Sequence, residues 1–199
     1  MIIAITGHAD IELALGVDKR YPEGEKYNRE VFDRVYKDIE KGLSEYLGNQ
    51  GLSLNDATFV SGMARGVDEV FAIMAIRHNL PLILSIPNSV KWHKDRPLRK
   101  GVRGQAVYYE KILSYDRIIE IYEINRLYND IAYVYANFAR NQHMIDISDT
   151  VFSYKVIPSP GTNDGILRAE KAGKYAGNLF NPPGMKDQEE FSGFGFKNG

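Results

Sequence analysis

Cysteine is missing from all 199 residues. Structural disulfides, thiolate nucleophiles and cysteine-ligated zinc are thereby excluded. A surplus of either charge is missing too. Lysine and arginine number 25 against 26 acidic residues, a formal net charge of −1. No whole-molecule field would then hold a polyanion, so nucleic acid is the less favoured partner. No run approaches the roughly 20 apolar residues that a membrane helix needs. The opening MIIAITGHAD lacks a basic stretch followed by a long apolar one, so the expected setting is soluble and cytoplasmic, with no membrane partner. Histidines number four and are scattered, with no His-x-x-x-His pair or carboxylate cluster at ligand spacing. Neither a metal nor a separate cofactor is expected.

What is present reads as one domain of ordinary globular balance, 44% hydrophobic and 26% charged. Short apolar runs alternate with longer segments of helical period. Strand-like runs fall at 2–5, 57–60, 82–86, 117–121 and 150–154. Between them, Phe32, Val35, Tyr36, Ile39, Leu43 and Tyr46 share one helical face, and Val67, Val70, Phe71, Met74 and Ala75 another. Further helices are predicted over 104–114, over about 130–147 with Ile131, Val134, Tyr135 and Phe138 on one face, and over about 164–176. Five strands separated by helices imply an α/β domain with a mostly parallel sheet and helices on both faces. Residues 178–199, rich in glycine and charge, read as a peripheral or partly disordered extension to a domain spanning 1–177.

In such sheets ligands bind outside the carboxyl ends of the strands, so the loops that follow strands hold the candidate residues. After the first comes Thr6-Gly7-His8, where glycine permits close backbone approach and the imidazole can hydrogen-bond a phosphate or sugar. A plain strand-to-helix turn fits these residues equally. After the second comes SGMARGVDE, residues 61–69. Ser61, Gly62, Ala64, Arg65 and Gly66 would offer backbone N–H groups and a guanidinium to an anion at a helix start. Asp68 would accept from a ribose hydroxyl, or else support the helix start.

The third such loop carries six Lys or Arg and one Asp between Lys91 and Arg103, around the lone Trp92. It reads as a lid over a phosphorylated ligand, a single-strand contact with an aromatic platform, or a solvated basic loop. After the fifth strand, Gly161, Thr162 and Asn163 could form a second anion cradle or an ordinary Pro/Gly turn.

SGMARGVD resembles the Ser-Gly-x-Ala-x-Gly-x-Asp loop of DNA-processing protein A. The order Ile-Thr-Gly-His, SGMARGVD, ARNQHMIDISD and a late Gly-Thr-Asn is similar to the YpsA-like branch of the same SLOG superfamily, over roughly 1–177. That superfamily includes the Lonely Guy phosphoribohydrolases. The resemblance implies a Rossmann-like three-layer fold, a nucleotide-type ligand and association as a homodimer. Arg140, Met144, Asp149 and Gly161-Thr162 match the Lonely Guy pattern. Asn141 replaces its Lys, the gap from Asp149 to Thr162 is longer, and Gly165 stands where the catalytic Glu would be, with Asp164 one place early.

The expected function is therefore binding or sensing of a nucleotide or nucleotide-derived small molecule. A nucleotide N-glycosidase is the alternative, its catalytic candidates being Asp68, Glu69, Asp164 and Arg140. A single-stranded DNA binder is the further alternative.

Overall fold

Ile2-Ile3-Ala4-Ile5 alternates its side chains between two apolar layers, the period-two signature of a strand buried on both faces. The computed structural model describes residues 1–17, 28–91, 108–127 and 133–180. Within them run β1 (Ile2–Gly7), α1 (Ile11–Ala14), α2 (Arg29–Gly48), β2 (Thr58–Ser61), α3 (Val67–Arg77), β3 (Leu82–Ile86), α4 (Tyr109–Leu113), β4 (Ile118–Glu123), α5 (Ile124–Leu127), α6 (Tyr133–Ile147), β5 (Thr150–Tyr154), α7 (Pro160–Lys171) and β6 (Tyr175–Asn178). The basic run beyond Lys91, the start of the helix read over 104–114, Ile131 and the tail from Asn181 lie outside the described residues.

The six strands form one sheet, ordered β4-β3-β2-β1-β5-β6, with every pairing parallel. This is a three-layer α/β Rossmann-like fold. Strand order reverses between β1 and β5, whose register sets Ile3 opposite Thr150 and Gly7 opposite Tyr154. One face buries Ile3, Ile5, Phe59 and Leu84 with Val35, Ile39 and Leu43 of α2 and Val70, Phe71 and Met74 of α3. The smaller second layer sets Ala4, Val60, Ile83 and Val151 against Met144 and Ile145 of α6 and Ala169 of α7. No described helix is long and apolar enough to cross a membrane.

Three readings change. The sheet has a sixth strand, Tyr-Ala-Gly-Asn, whose short edge position needs no apolar run. The helix read from residue 164 begins at Pro160, because proline at a first-turn position lacks only an N–H that would have no helical partner. On α6, Tyr135 and Phe138 are exposed rather than core, and Ala136, Met144 and Ile145 make the buried stripe.

The crossing of α3 over β1 is tight. A Cβ on Gly7 would meet the Val67 side chain at 2.5 Å, so Gly7 is a packing glycine at the sheet's carboxyl edge. Gly7→Ala is expected to lower stability by about 1–3 kcal/mol, as overpacking does in a filled core. An unchanged urea midpoint would contradict this packing.

Candidate functional site

A cleft of about 490 Å³ opens at the carboxyl edge, where strand order reverses. Its walls come from the end of β1, the loop from β2 to α3, the exposed side of α6 and the entrance to α7. Its size lies within the usual range for small-molecule sites. Gly7, Gly62, Ala64, Asp68, Arg140, Gly161 and Thr162 line it, as does Thr6.

The loop from β2 to α3 is held largely by its own bonds. Ser61 Oγ donates to the Asp68 carbonyl at 2.8 Å and accepts from Met63 N at 3.2 Å. The Asp68 carboxylate accepts from Ala64 N at 3.3 Å and from Arg140 Nη1 at 2.8 Å. The same Nη1 donates to Gly62 O at 2.8 Å. A Cβ on Gly62 would lie 2.1 Å from Nη1, so a side chain there would displace the guanidinium. Gly66 has φ of +89° and its Cβ would meet His8 O at 2.2 Å, so no side chain is tolerated. Val67 N donates to that carbonyl. The helix start read as an anion grip thus spends several of its donors on the fold.

Arg65 and His8 do not serve as ligand groups in this arrangement. The Arg65 side chain is 1% exposed and its fork meets the wholly buried carboxylate of Glu12 at 3.1 and 3.3 Å. Sequence reasoning did not pair Glu12 with Arg65, because their separation of 53 residues leaves no local pattern. Buried His8 accepts from Val156 N at 3.0 Å and Ile157 N at 3.3 Å, both at Nε2. It ties the β1 loop to the segment after β5. Burial, with Lys155 adding to it, pushes its pKa below the ordinary 6.5.

The catalytic candidates are all engaged. Burial pushes the Asp68 carboxyl above its ordinary value against the pull of Arg140. Buried Glu69 accepts from Tyr108 N, away from the cleft lining. Asp164 accepts from Arg168 Nε at 2.9 Å and Asn141 Nδ2 at 3.2 Å. Gly165 lines the cleft, but a Cβ there would lie 2.6 Å from Thr6 Oγ1. A glutamate cannot occupy that position without moving α7 away from β1.

The entrance to α7 differs from that of α3. Ser159 makes no side-chain cap, and first-turn N–H groups lack helical acceptors. Thr162 is 1% exposed and its Oγ1 has no partner among the described residues. The same holds for Asn163 Oδ1 and, on α6, for buried Arg140 Nε. Sequence reasoning missed Asn137 and Phe138, which also line the cleft. Their signal lay in helical spacing, since Asn137, Arg140, Asn141 and Met144 stand three or four positions apart.

No protein-family model matches the sequence, and no curated protein matches it. Solved structures do. DNA processing protein A from Streptococcus pneumoniae is 16% identical with a TM-score of 0.51, over 88% of this chain and 49% of its own. DNA processing protein A from Helicobacter pylori, described with a single-stranded DNA binding mode, is 18% identical with a TM-score of 0.52, over 89% and 64%. A molybdenum cofactor binding protein from Rippkaea orientalis is 15% identical with a TM-score of 0.44, over 89% and 76%. The chain therefore shares its fold with DNA processing protein A. The chain spans about half the length of the pneumococcal protein.

Two measurements test this assignment of roles. Arg65→Met strands the buried Glu12 carboxylate and should destabilise by about 3–5 kcal/mol, with Glu12→Leu in the same chain restoring most of it. Retained stability with lost ligand affinity would return Arg65 to the binding site. The second is a pH series. The neutral His8 ring contributes its full stability above pH 6.5, and that contribution falls as acidification protonates the unfolded chain first. His8→Gln should flatten the decline of the urea midpoint between pH 7 and 5. An identical slope in both proteins would remove His8 as its source.

Proposed function

We propose that the cleft binds a nucleotide or nucleotide-derived phosphate ligand as a sensing or binding module, without turning it over. The carrying observation is the pair of buried, unpartnered donors on cleft-lining residues, Thr162 Oγ1 and Arg140 Nε. Buried polar groups are nearly always satisfied, and an exception calls for a ligand or water. An uncapped helix start and a guanidinium together suit an anion. Phosphate thus belongs at Gly161 to Asn163 rather than at residues 62–66. Arg140 would meet it while Nη1 stays on Asp68 and Gly62.

The closed space at Gly165 argues against Lonely Guy-type hydrolysis, which the resemblance assigns to a glutamate there. An N-glycosidase reading survives through Asp68, whose raised pKa marks a possible general acid in a cleft. It requires that Asp68 leave Arg140. A single-strand DNA role draws support from the basic run 91–103 and from the fold shared with DNA processing protein A.

Incubation of stoichiometric protein with mono-, di- and triphosphates, NAD and ADP-ribose, then ultrafiltration and chromatography, separates these readings. The expected result is one nucleotide depleted from the filtrate and recovered intact. Thr162→Val should weaken that binding about 10- to 100-fold, the range for losing one hydrogen bond to a charged group. A free base in the filtrate, abolished by Asp68→Asn, would establish the glycosidase instead. Every nucleotide left unbound, with salt-sensitive retention of single strands, would transfer the role to DNA.

A further inference from the structure

Phe138 is 37% exposed, yet it lines the cleft. Its helix already has a buried stripe in Ala136, Met144 and Ile145, so core packing does not account for an aromatic at this position. Beside it Asn137 also lines the cleft, and its amide makes no hydrogen bond among the described residues. Asn141, a turn later, differs. Its amide donates to Asp164 and, at 3.5 Å, to Gly161 O at the α7 entrance.

We infer that Phe138 and Asn137 recognise the heterocyclic base of the ligand, Phe138 as a stacking face and Asn137 as a hydrogen-bonding edge. The inference rests on the nucleotide reading above and adds which part of the ligand sets selectivity. An amide carries both donor and acceptor, as the edge of a purine or pyrimidine does. Aromatic stacking accepts every base, so the selectivity between bases falls to Asn137.

The geometry of α6 supports the order of parts along the cleft. Asn141, midway along the helix, is the position that reaches the α7 entrance, where the phosphate belongs. Phe138 lies three residues before it, about 4.5 Å along the axis at 1.5 Å per residue. Arg140 stands between the two in sequence. A ligand with its phosphate at Thr162 and its sugar passing Arg140 would bring its base to Phe138. Pro87 and Ala64 complete apolar walls of the same cleft.

The test is titration calorimetry of the full chain with four ribonucleoside monophosphates, ribose 5-phosphate and inorganic phosphate. The expected result is that at least one nucleoside monophosphate binds about 5- to 150-fold more tightly than ribose 5-phosphate, the range for one base–aromatic stack. Phe138→Ala should erase that gap and leave ribose 5-phosphate affinity unchanged, while Phe138→Trp keeps it. Asn137→Ala should level the differences among the four bases without moving ribose 5-phosphate. Because Phe138 is 37% exposed, Phe138→Ala should stay folded, with a melting temperature at most a few degrees below the parent's. Equal binding of ribose 5-phosphate and nucleotides overturns the inference and leaves the phosphate site standing. So does an equal loss of both ligands in Phe138→Ala. Failure of every phosphorylated ligand to bind overturns the nucleotide reading itself, and this inference with it.

Discussion

The contact of Arg140 with Asp68 and Gly62 fixes the shape of the cleft. Helix α3 belongs to the layer on one face of the sheet and α6 to the layer on the other. The guanidinium joins them over the carboxyl edge, one nitrogen meeting both the carboxylate and the Gly62 carbonyl. Two buried charges are expensive to desolvate, and such a pair holds only where its hydrogen bonds are well made. Here Ala64 N adds a second bond to the carboxylate. Burial nonetheless pushes the Asp68 carboxyl upward against the pull of Arg140. Arg140 Nε stays outside this pair and is the nitrogen left for an anion in the reading proposed above.

The glycines around this pair serve the fold before they serve a ligand. Gly7 lets Val67 lie on β1, Gly66 lets the loop reach His8 O, and Gly62 leaves room for Arg140. Gly165 lets α7 approach Thr6. Each would force a Cβ into contact closer than real side chains tolerate. Clustering of small residues at a strand end therefore has a mechanical origin, since helices can close over the edge only where side chains are absent. The space left between those close approaches is the cleft.

Much of the fold was legible because its signals are local. The strands announced themselves by apolar runs, α2 by its periodic face, and the SGMARGVD loop by its place between a strand and a buried helix. What escaped notice is non-local. Arg65 looked like a phosphate ligand because Glu12, its partner 53 residues away, leaves no trace near it in the sequence. His8 looked free for the same reason, its donors being backbone N–H groups from beyond β5. Phe138 reads as part of one helical face with Tyr135, and helical period gives the spacing of such a face but not its direction. The sixth strand was missed because an edge strand can be held by backbone pairing with little hydrophobic content.

The two helix entrances at the carboxyl edge are unequal, and the inequality has chemical meaning. At α3, the preceding loop and the His8 carbonyl just beyond β1 absorb donors. At α7, the cap is missing and the Thr162 hydroxyl is unmatched. Negative charge gains most where donors lack partners, because there it repairs a loss and displaces no existing bond. The carboxylates present the opposite condition. Asp68 is bound by Arg140, Glu69 by Tyr108 N and Asp164 by Arg168. A general base must come within hydrogen-bond reach of the proton it takes, so each of these carboxylates would have to present a free lone pair to water from within its existing bonds. Among the described residues the cleft thus leaves two donors without partners and pairs its carboxylates, and on that distribution the proposal of an anion-binding module rests.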